Sequence, residues 1–179
     1  MVTVRAAEPE DLEVCLTFPA TYTTRVAWQL AIDGDPSRNG PLHMSLQQMR
    51  LPRLLTLTLP SALIPLQATW DMQDLILLAL DNEVACGYLC LQLLPDQGQG
   101  LITRLLVNPP SRGKGAGTAL VRTALGWASA QGLMRLLAYT PLRNTPGSTF
   151  YQQRGFRICG ISEHFYPTRE DALLLERWL

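Results

Sequence analysis

The sequence predicts an α+β fold with a mixed, mainly antiparallel sheet, and two stretches carry that prediction. Two apolar runs, "DLILLAL" and "VACGYLCLQLL", flank the polar turn "DNE", as in a β-hairpin. Further along, the strand-like "LITRLLV", a helical pattern over 117–131 and the apolar "LMRLLAYT" follow one another. A strand, a helix and a strand in succession are typical of a right-handed crossover between parallel strands. Antiparallel and parallel pairs in one chain indicate a mixed sheet flanked by helices.

Before the hairpin, the pattern predicts a strand, a short helix and an extra strand-rich segment. "VTVRAA" is the first strand, and "EPEDLEVCLTF" is a short helix because proline and acidic residues suit a helix start. The extra segment lies near residues 21–60. There "TYTTRVAWQLAI" has the composition of a strand, "DGDPSRNGP" that of a loop, and "LHMSLQQMRLPRLLTLTLP" has room for one or two more strands.

After the crossover, the chain predicts one more helix and two final strands. The first long helix runs from about Gly117 to Gln131 and ends at Gly132, which adopts a left-handed cap conformation at low cost. The next helix, "TPGSTFYQQR", stops at Gly155. The strands "FRICGISE" and "DALLLERWL" complete the pattern.

Composition limits the classes of protein to which this chain can belong. With 179 residues it suits a single domain, 1–179. Hydrophobic residues make up 47%, charged residues 17%, and the formal net charge is +0. These values exclude a disordered chain and argue against nucleic acid or a membrane as the partner. The start "MVTVRAAEPEDLEVC" lacks the order of a signal peptide, so we expect a cytoplasmic protein.

The cysteines and histidines are scattered along the chain. They are Cys15, Cys86, Cys90, Cys159, His43 and His164. No pair has the close spacing of a zinc site or a redox motif, so we expect no metal and four reduced core thiols. In a regular strand Cys86 and Cys90 lie on the same face, because side chains alternate with a period of two.

The stretch "VNPPSRGKGAG" at 107–117 places three glycines and the only lysine of the chain directly before a helix. Glycines let the backbone approach a ligand closely, and the first amides of a helix have no partners within it. Each contact from such an amide to an anion contributes about 1.5–3 kcal/mol. The stretch therefore predicts a phosphate cradle, with a glycine-rich turn carrying two solvated bases, Arg112 and Lys114, as the alternative.

Three phosphate-binding patterns compete for this loop. A Walker loop requires a glycine at Asn108 and a serine or threonine at Gly115. A dinucleotide fingerprint requires its third glycine three residues after the second, whereas Gly113, Gly115 and Gly117 are evenly spaced. The remaining pattern, Arg-Gly-Lys-Gly-Ala-Gly, resembles the acetyl-CoA loop of the GNAT family of N-acetyltransferases, Gln/Arg-x-x-Gly-x-Gly/Ala.

The resemblance extends beyond the loop. The family's strand ends in Val-x-Pro, which Val107 to Pro109 match, and a later helix carries an asparagine, an aromatic-tyrosine pair and a final Gly-Phe. The matching residues are Asn144, Phe150, Tyr151, Gly155 and Phe156. The order of elements also fits over a core of about 74–179. Residues 12–70 depart from the family, which usually has two helices where this chain has extra strand.

This resemblance implies direct transfer of acetyl from acetyl-CoA, as co-substrate, to a primary amine on a small molecule or a peptide. It also implies a parallel strand pair that splays apart beside the cofactor. The cofactor-binding residues it implies are Leu105, Leu106, Val107, Arg112, Gly113, Lys114, Gly115, Ala116, Gly117, Thr118 and Asn144. Asn144 has an alternative role as the cap of its helix, although Thr145 before Pro146 is an equally good cap.

The resemblance further implies that Tyr151 is the general acid that protonates the leaving thiolate, with a role as a core aromatic as the alternative. No carboxylate stands on "GLITRLLV", where many relatives have their base. The replacements considered are Asp71, Asp74, Glu83, Glu163 and His164, none of them preferred. The missing carboxylate keeps open a catalytically silent acyl-CoA-binding sensor or assembly module. A homodimer is also left open.

Overall fold

The computed structural model describes residues 1–34, 41 and 43–179, and a seven-stranded mixed sheet dominates it. The strands are β1 (Val2–Ala6), β2 (Thr21–Asp33), β3 (His43–Thr58), β4 (Leu75–Asp81), β5 (Val84–Leu94), β6 (Gln99–Val107), β7 (Arg135–Pro141), β8 (Arg157–Ser162) and β9 (Ala172–Trp178). The order in the large sheet is β1-β4-β5-β6-β7-β9-β8, and among the described strands only β6 and β7 pair in parallel. The predicted α+β fold with a mainly antiparallel sheet is confirmed.

Helices cover both faces of this sheet. They are α1 (Leu12–Leu16), α2 (Leu66–Thr69), α3 (Ala116–Ala130) and α4 (Thr145–Gln152). On one face, Leu120 and Ala124 of α3 are fully buried against strand residues such as Leu89. On the other face, Cys15 and Tyr88 belong to a second core under α1. Burying one leucine contributes about 1.5–3 kcal/mol, so these two cores hold the helices to the sheet. None of the described helices is long and apolar enough to cross a membrane.

A β-bulge in β5 changes which side chains share a face. The register between β4 and β5 shifts between Ala79 and Leu80, and Cys86 is the extra residue. Cys86 consequently lies in the core under α3, whereas Cys90 lies in the core under α1. The expectation that these two cysteines share a face is wrong, because a bulge adds one residue to the alternation.

Three of the four cysteines are buried, and Cys159 is exposed. Burial raises the pKa of Cys15 and of Cys90 to about 12, so both thiols stay protonated and inert at neutral pH. The prediction of four core thiols is wrong for Cys159. This residue lies on β8, which is the edge strand of the sheet in the described part of the chain.

Strands β2 and β3 form a separate two-stranded sheet, which confirms the extra strand-rich segment. The segment that had room for one or two strands contains one, β3, while Leu42 and most of the predicted loop lie outside the described residues. The ladder is interrupted where the register shifts between Thr24 and Val26, and Pro52 lies within that gap. Proline is tolerated in this gap because the interrupted ladder requires no N–H donor there. Within a regular ladder, the missing N–H of proline would remove a hydrogen bond.

This hairpin is attached to the large sheet through the end of β7 and the start of α4. The backbone N–H of Trp28 donates to the Leu142 carbonyl at 2.9 Å, and its indole Nε1 donates to Ser148 Oγ at 2.9 Å. The Thr145 hydroxyl donates to the Val26 carbonyl at 2.7 Å. These bonds place the hairpin beside the carboxyl end of β7.

Candidate active site

Strands β6 and β7 pair over only four residues and then separate. The pairing runs from Gln99 opposite Arg135 to Ile102 opposite Ala138. Strand β6 continues to Val107 and stays paired with β5 on its other side. In the described part of the chain, residues 103–107 therefore have no strand partner on the side of β7. Apart from the Val107 carbonyl, which accepts from Arg112, their backbone groups on that side are open to an extended ligand. The predicted splayed pair is confirmed, and Leu105, Leu106 and Val107 lie on its open edge.

The glycine loop ends in free backbone amides at the start of α3. Gly113 and Gly115 have φ of 77° and 96°, in the left-handed region that favours glycine. The space that a Cβ would occupy is open at both residues. Within the described part of the chain, the N–H groups of residues 113 and 115–118 donate no hydrogen bond, whereas that of Ala119 starts the helical series by bonding to the Gly115 carbonyl. Five free donors around an open space fit the oxygens of phosphates.

Gly117 serves helix packing as well. A Cβ at this position would lie 2.9 Å from Cε2 of Phe150, closer than side chains normally approach. Glycine therefore lets α3 and α4 come together at their first turns. Packing alone explains this glycine and the Phe150 ring.

The Arg112 side chain is already engaged by the protein. Its Nε donates to the Val107 carbonyl at 3.0 Å and its Nη2 to the Thr21 carbonyl at 2.8 Å. Its backbone N–H also bonds within the turn, to the Pro109 carbonyl. Arg112 thus ties the loop to the end of β6 and the start of β2. The Lys114 side chain, by contrast, is exposed, although its amide bonds to the Ser111 carbonyl at 3.4 Å.

Asn144 is the N-cap of α4, and both polar atoms of its side chain have partners. Its Oδ1 accepts from the Gly147 N–H at 3.0 Å, and its Nδ2 donates to Thr140 Oγ1 at 2.8 Å. The alternative in which Thr145 is the cap is wrong, because the Thr145 hydroxyl bonds to Val26 of the hairpin instead. Cofactor binding by Asn144 stays a prediction.

The cap geometry predicts a cost for removing this side chain. We expect Asn144→Ala to lower the free energy of unfolding by about 1–2 kcal/mol, since it deletes the cap and leaves the Thr140 hydroxyl without its donor. The matched variant Asn144→Asp keeps an acceptor for Gly147 and should lose less. Urea unfolding followed by circular dichroism measures both, and equal midpoints for the parent and the alanine variant would contradict the cap.

Tyr151 is buried among aromatic rings at the end of α4. Its ring meets Phe150 and Phe156 edge-on, with centroids 5.5 Å and 5.2 Å away. Burial raises the pKa of the Tyr151 phenol above its ordinary value, so it stays protonated at neutral pH. Packing explains the ring, but it does not explain why this position carries a hydroxyl. A phenol that keeps its proton has the property required of a general acid.

A model of the Acetyltransferase (GNAT) family matches residues 48–156, more than half of the chain. The protein is a member of the GNAT family. The matched segment contains the open edge of β6, the glycine loop and Tyr151. The family assignment therefore covers the site whose geometry is described above.

Curated relatives match this GNAT protein over part of their length. A streptothricin acetyltransferase from Escherichia coli is 32% identical over 71 residues, which are 40% of this chain and 41% of the relative. A dTDP-fucosamine acetyltransferase from Escherichia coli O6:H1 is 35% identical over 94 residues, 51% of this chain and 38% of the relative. The chain thus spans about two fifths of the length of these relatives.

Solved structures match the GNAT protein over nearly its full length. A nourseothricin acetyltransferase has a TM-score of 0.81 and 21% identity, covering 99% of this chain and 98% of the other. A putative streptothricin acetyltransferase from Bacillus anthracis, in complex with acetyl coenzyme A, has a TM-score of 0.76 and 17% identity, with full coverage of both chains. At these identities the likeness shows a shared fold, which includes the region of the β2–β3 hairpin.

A cleft of about 740 Å³ lies where the hairpin meets the carboxyl end of β7. Its walls include Trp28 and Leu30 of β2, Arg143 after β7, and Glu163 and Glu170 from the segment between β8 and β9. The sequence pattern did not indicate this cleft, because the wall formed by β2 and the wall formed by residues after β7 are more than a hundred residues apart in the chain. Aromatic, aliphatic and charged groups together are typical of a site for a polar organic molecule.

The candidates for the general base that β6 lacks lie in different parts of the structure. Glu163 lines the cleft. Asp74 accepts from the Leu93 N–H at 2.7 Å, which gives it a structural role, and Glu83 stands in the tight turn between β4 and β5. The His164 backbone N–H donates to Asp171, and its ring is exposed.

Glu170, which sequence reasoning did not select, is a carboxylate of the cleft wall whose charge raises the pKa of two tyrosines. Burial, followed by the negative charge of Glu170, raises the pKa of Tyr22. Burial, Tyr151 and Glu170 in turn raise the pKa of Tyr166. The charge of Glu170 on the cleft wall therefore adds to the effect of burial on Tyr22 and Tyr166, while Arg143 of the same cleft lowers the pKa of Tyr22. No local motif marks Glu170, so only the folded arrangement identifies it.

Proposed function

We propose that this protein is an N-acetyltransferase that moves acetyl from acetyl-CoA to a primary amine. The proposal rests on two adjoining features. The edge of β6 that faces away from β5 is open, and it leads directly to the free amides at residues 113 and 115–118. The amides suit phosphates, and the open edge suits the amide-bearing pantetheine chain. Acetyl-CoA supplies an activated thioester, and the protein binds and orients it.

The acceptor is proposed to enter through the cleft at the carboxyl end of β7. Holding an amine and a thioester in line removes much of the entropic barrier to their reaction. Carboxylates on the cleft wall, Glu163 and Glu170, are placed to attract a protonated amine and to receive its proton before attack. Tyr151 Oη holds the proton that the departing sulfur takes up.

The test of this proposal measures turnover. The purified protein is mixed with acetyl-CoA and a panel of small amines and amine-bearing peptides, and free thiol is followed over time. We expect thiol release that depends on the amine. Tight acetyl-CoA binding with no amine-dependent release would favour the silent acyl-CoA-binding module, which the absence of a carboxylate on β6 keeps as the second candidate.

Two charge-removing variants of the loop are expected to differ. Lys114→Ala should weaken acetyl-CoA binding by less than about fivefold, because a solvated charge contributes about 0–1 kcal/mol. Arg112→Met removes the same charge and also releases the loop from Val107 and Thr21, so its loss should be larger. Calorimetric titration with acetyl-CoA measures the affinity of both variants. A greater loss of affinity for Lys114→Ala than for Arg112→Met would show that the solvated charge contributes more to binding than the loop contacts of Arg112.

A further inference from the structure

The indole of Trp28 forms a fixed wall of the cleft at the carboxyl end of β7. Its backbone N–H bonds to the Leu142 carbonyl, and its Nε1 donates to Ser148 Oγ at 2.9 Å. Ser148 is fully buried on α4 and donates in turn to the Thr145 carbonyl at 3.1 Å. Tyr151 follows Ser148 by three residues, so both lie on the same side of α4. One wall of the cleft is therefore joined directly to the helix that carries the proposed acid.

Charged groups of both signs line the same cleft. Its guanidinium groups are those of Arg143 and Arg169, and its carboxylates include Glu163 and Glu170. In the part of the chain that the structure describes, none of these four side chains takes part in an ion pair, and neither guanidinium donates a hydrogen bond to the protein. Glu170 accepts one hydrogen bond, from a neighbouring threonine hydroxyl at 3.3 Å. A third carboxylate of the cleft, Asp171, is already engaged by a backbone N–H at 2.9 Å.

Hydrogen-bonded turns hold the backbone of both arginines. Arg169 has a φ of 60°, in the left-handed region where a side chain costs about 1–2 kcal/mol. Its N–H donates to the Tyr166 carbonyl at 2.7 Å, which closes the turn. Arg143 is held in a similar way, because the N–H of Asn144 after it bonds to the Pro141 carbonyl at 2.8 Å. Both side chains therefore start from defined positions at the cleft.

We propose that the cleft takes an acceptor that carries an acidic group, a carboxylate or a phosphate, besides its primary amine, and that Arg143 and Arg169 bind the acidic group. The inference rests on the proposed function and names its class of substrate. Such a molecule pairs its ammonium group with the free carboxylates and its acidic group with the free guanidinium groups at the same time. A volume of about 740 Å³ suits a small molecule, with Trp28 and Leu30 as walls for its apolar part. If the arginines were only solvated surface groups, the acidic group of the acceptor would not affect turnover through them.

Matched acceptors isolate the contribution of the acidic group. Each pair consists of an acid-bearing amine and the same amine without its acid: phenylalanine and phenethylamine, lysine and cadaverine, and phosphoethanolamine and ethanolamine. Release of free thiol from acetyl-CoA gives kcat/KM for each amine, and the ratio within a pair is the preference for the acidic group. The amines of a pair differ in basicity, so the preference of the parent is compared with that of each variant, where the basicity is the same.

The variants are Arg143→Gln, Arg169→Asn and their combination. Asparagine is chosen at 169 because it tolerates the left-handed backbone. Arg53→Gln, at an exposed position of β3 that does not line the cleft, is the control for the change in net charge.

We expect the parent to prefer the acid-bearing amines, each single variant to lower this preference about threefold or more, and the double variant to lower it about tenfold or more. The KM for acetyl-CoA should change little. Arg53→Gln should keep the preference of the parent. Added salt should reduce the preference of the parent, because it screens the ion pairs, and should have less effect on the double variant. A loss confined to the phosphate pair assigns a phosphate, and a loss in the other two pairs assigns a carboxylate.

The same preference in the double variant as in the parent would overturn the assignment. So would a parent that favours the plain amine in every pair, a result that would instead indicate a purely cationic acceptor. Melting temperatures identify a variant that does not fold, and the remaining variant then carries the test. If the parent releases no thiol with any amine, the proposed function fails by itself. Calorimetric binding of the same amines to the complex with acetyl-CoA then measures the preference, and equal affinities within each pair would overturn the inference.

Discussion

Replacing Gly115 with valine is expected to weaken acetyl-CoA binding by more than about 100-fold. A branched side chain would fill the open space in front of the free amides at 115–118. Each lost amide–phosphate contact costs about 1.5–3 kcal/mol, so losing two of them exceeds a factor of 100. Calorimetric titration of the purified variant measures the effect.

The same substitution also strains the backbone, since Gly115 has a φ of 96°. Gly132→Val is the matched control. Gly132 follows the other end of α3, has a φ of 73° and likewise has open space around its Cβ position. Both variants should lose about 1–2 kcal/mol of stability, but only Gly115→Val should lose binding. Parent-like binding by Gly115→Val would show that the cradle is misplaced, and equal losses of binding would indicate general destabilisation.

Tyr151→Phe is expected to lower kcat by about 10²–10⁴-fold, the usual contribution of general-acid catalysis. The change removes one oxygen and retains the contacts of the ring with Phe150 and Phe156. Acetyl-CoA affinity and melting temperature should therefore change little. The rate must be measured where acetyl transfer limits turnover, because slow product release hides a chemical step. An unchanged kcat under that condition would remove Tyr151 from the mechanism.

The pH dependence gives a second observable for the same residue. Burial raises the pKa of Tyr151 above the ordinary phenol value of about 10. The protonated acid is thus present throughout the neutral range, and its loss occurs only as pH rises through the elevated pKa. We expect no alkaline decline of kcat below about pH 10 that belongs to Tyr151. A decline near neutral pH that disappears in Tyr151→Phe would show a phenol far more acidic than this environment allows.

The parts of the site that follow local rules could be predicted from sequence. Glycine spacing before a helix indicated the cradle, since free amides at a helix start are a local property of the backbone. The hairpin and crossover patterns indicated the large sheet. Prediction was less successful where one element competes with another for a side chain. Thr145 and Asn144 are equivalent caps by residue type, but the hairpin carbonyl of Val26 engages Thr145 and leaves the cap to Asn144.

The sequence by itself determined the strands of the large sheet, the helices α1, α3 and α4, the location of the glycine loop and the position of Tyr151 on its helix, because these depend on periodicity and on residues close together in the chain. It did not indicate the one-turn helix α2. Only the tertiary structure decided that Arg112 ties the loop to Thr21, that Arg154 lies beside Thr118, and that the charge of Glu170 raises the pKa of Tyr22. Each of these relations joins segments that are far apart in sequence. Their distances, and therefore their electrostatic coupling and hydrogen bonds, are set by how the hairpin and helices pack against the sheet.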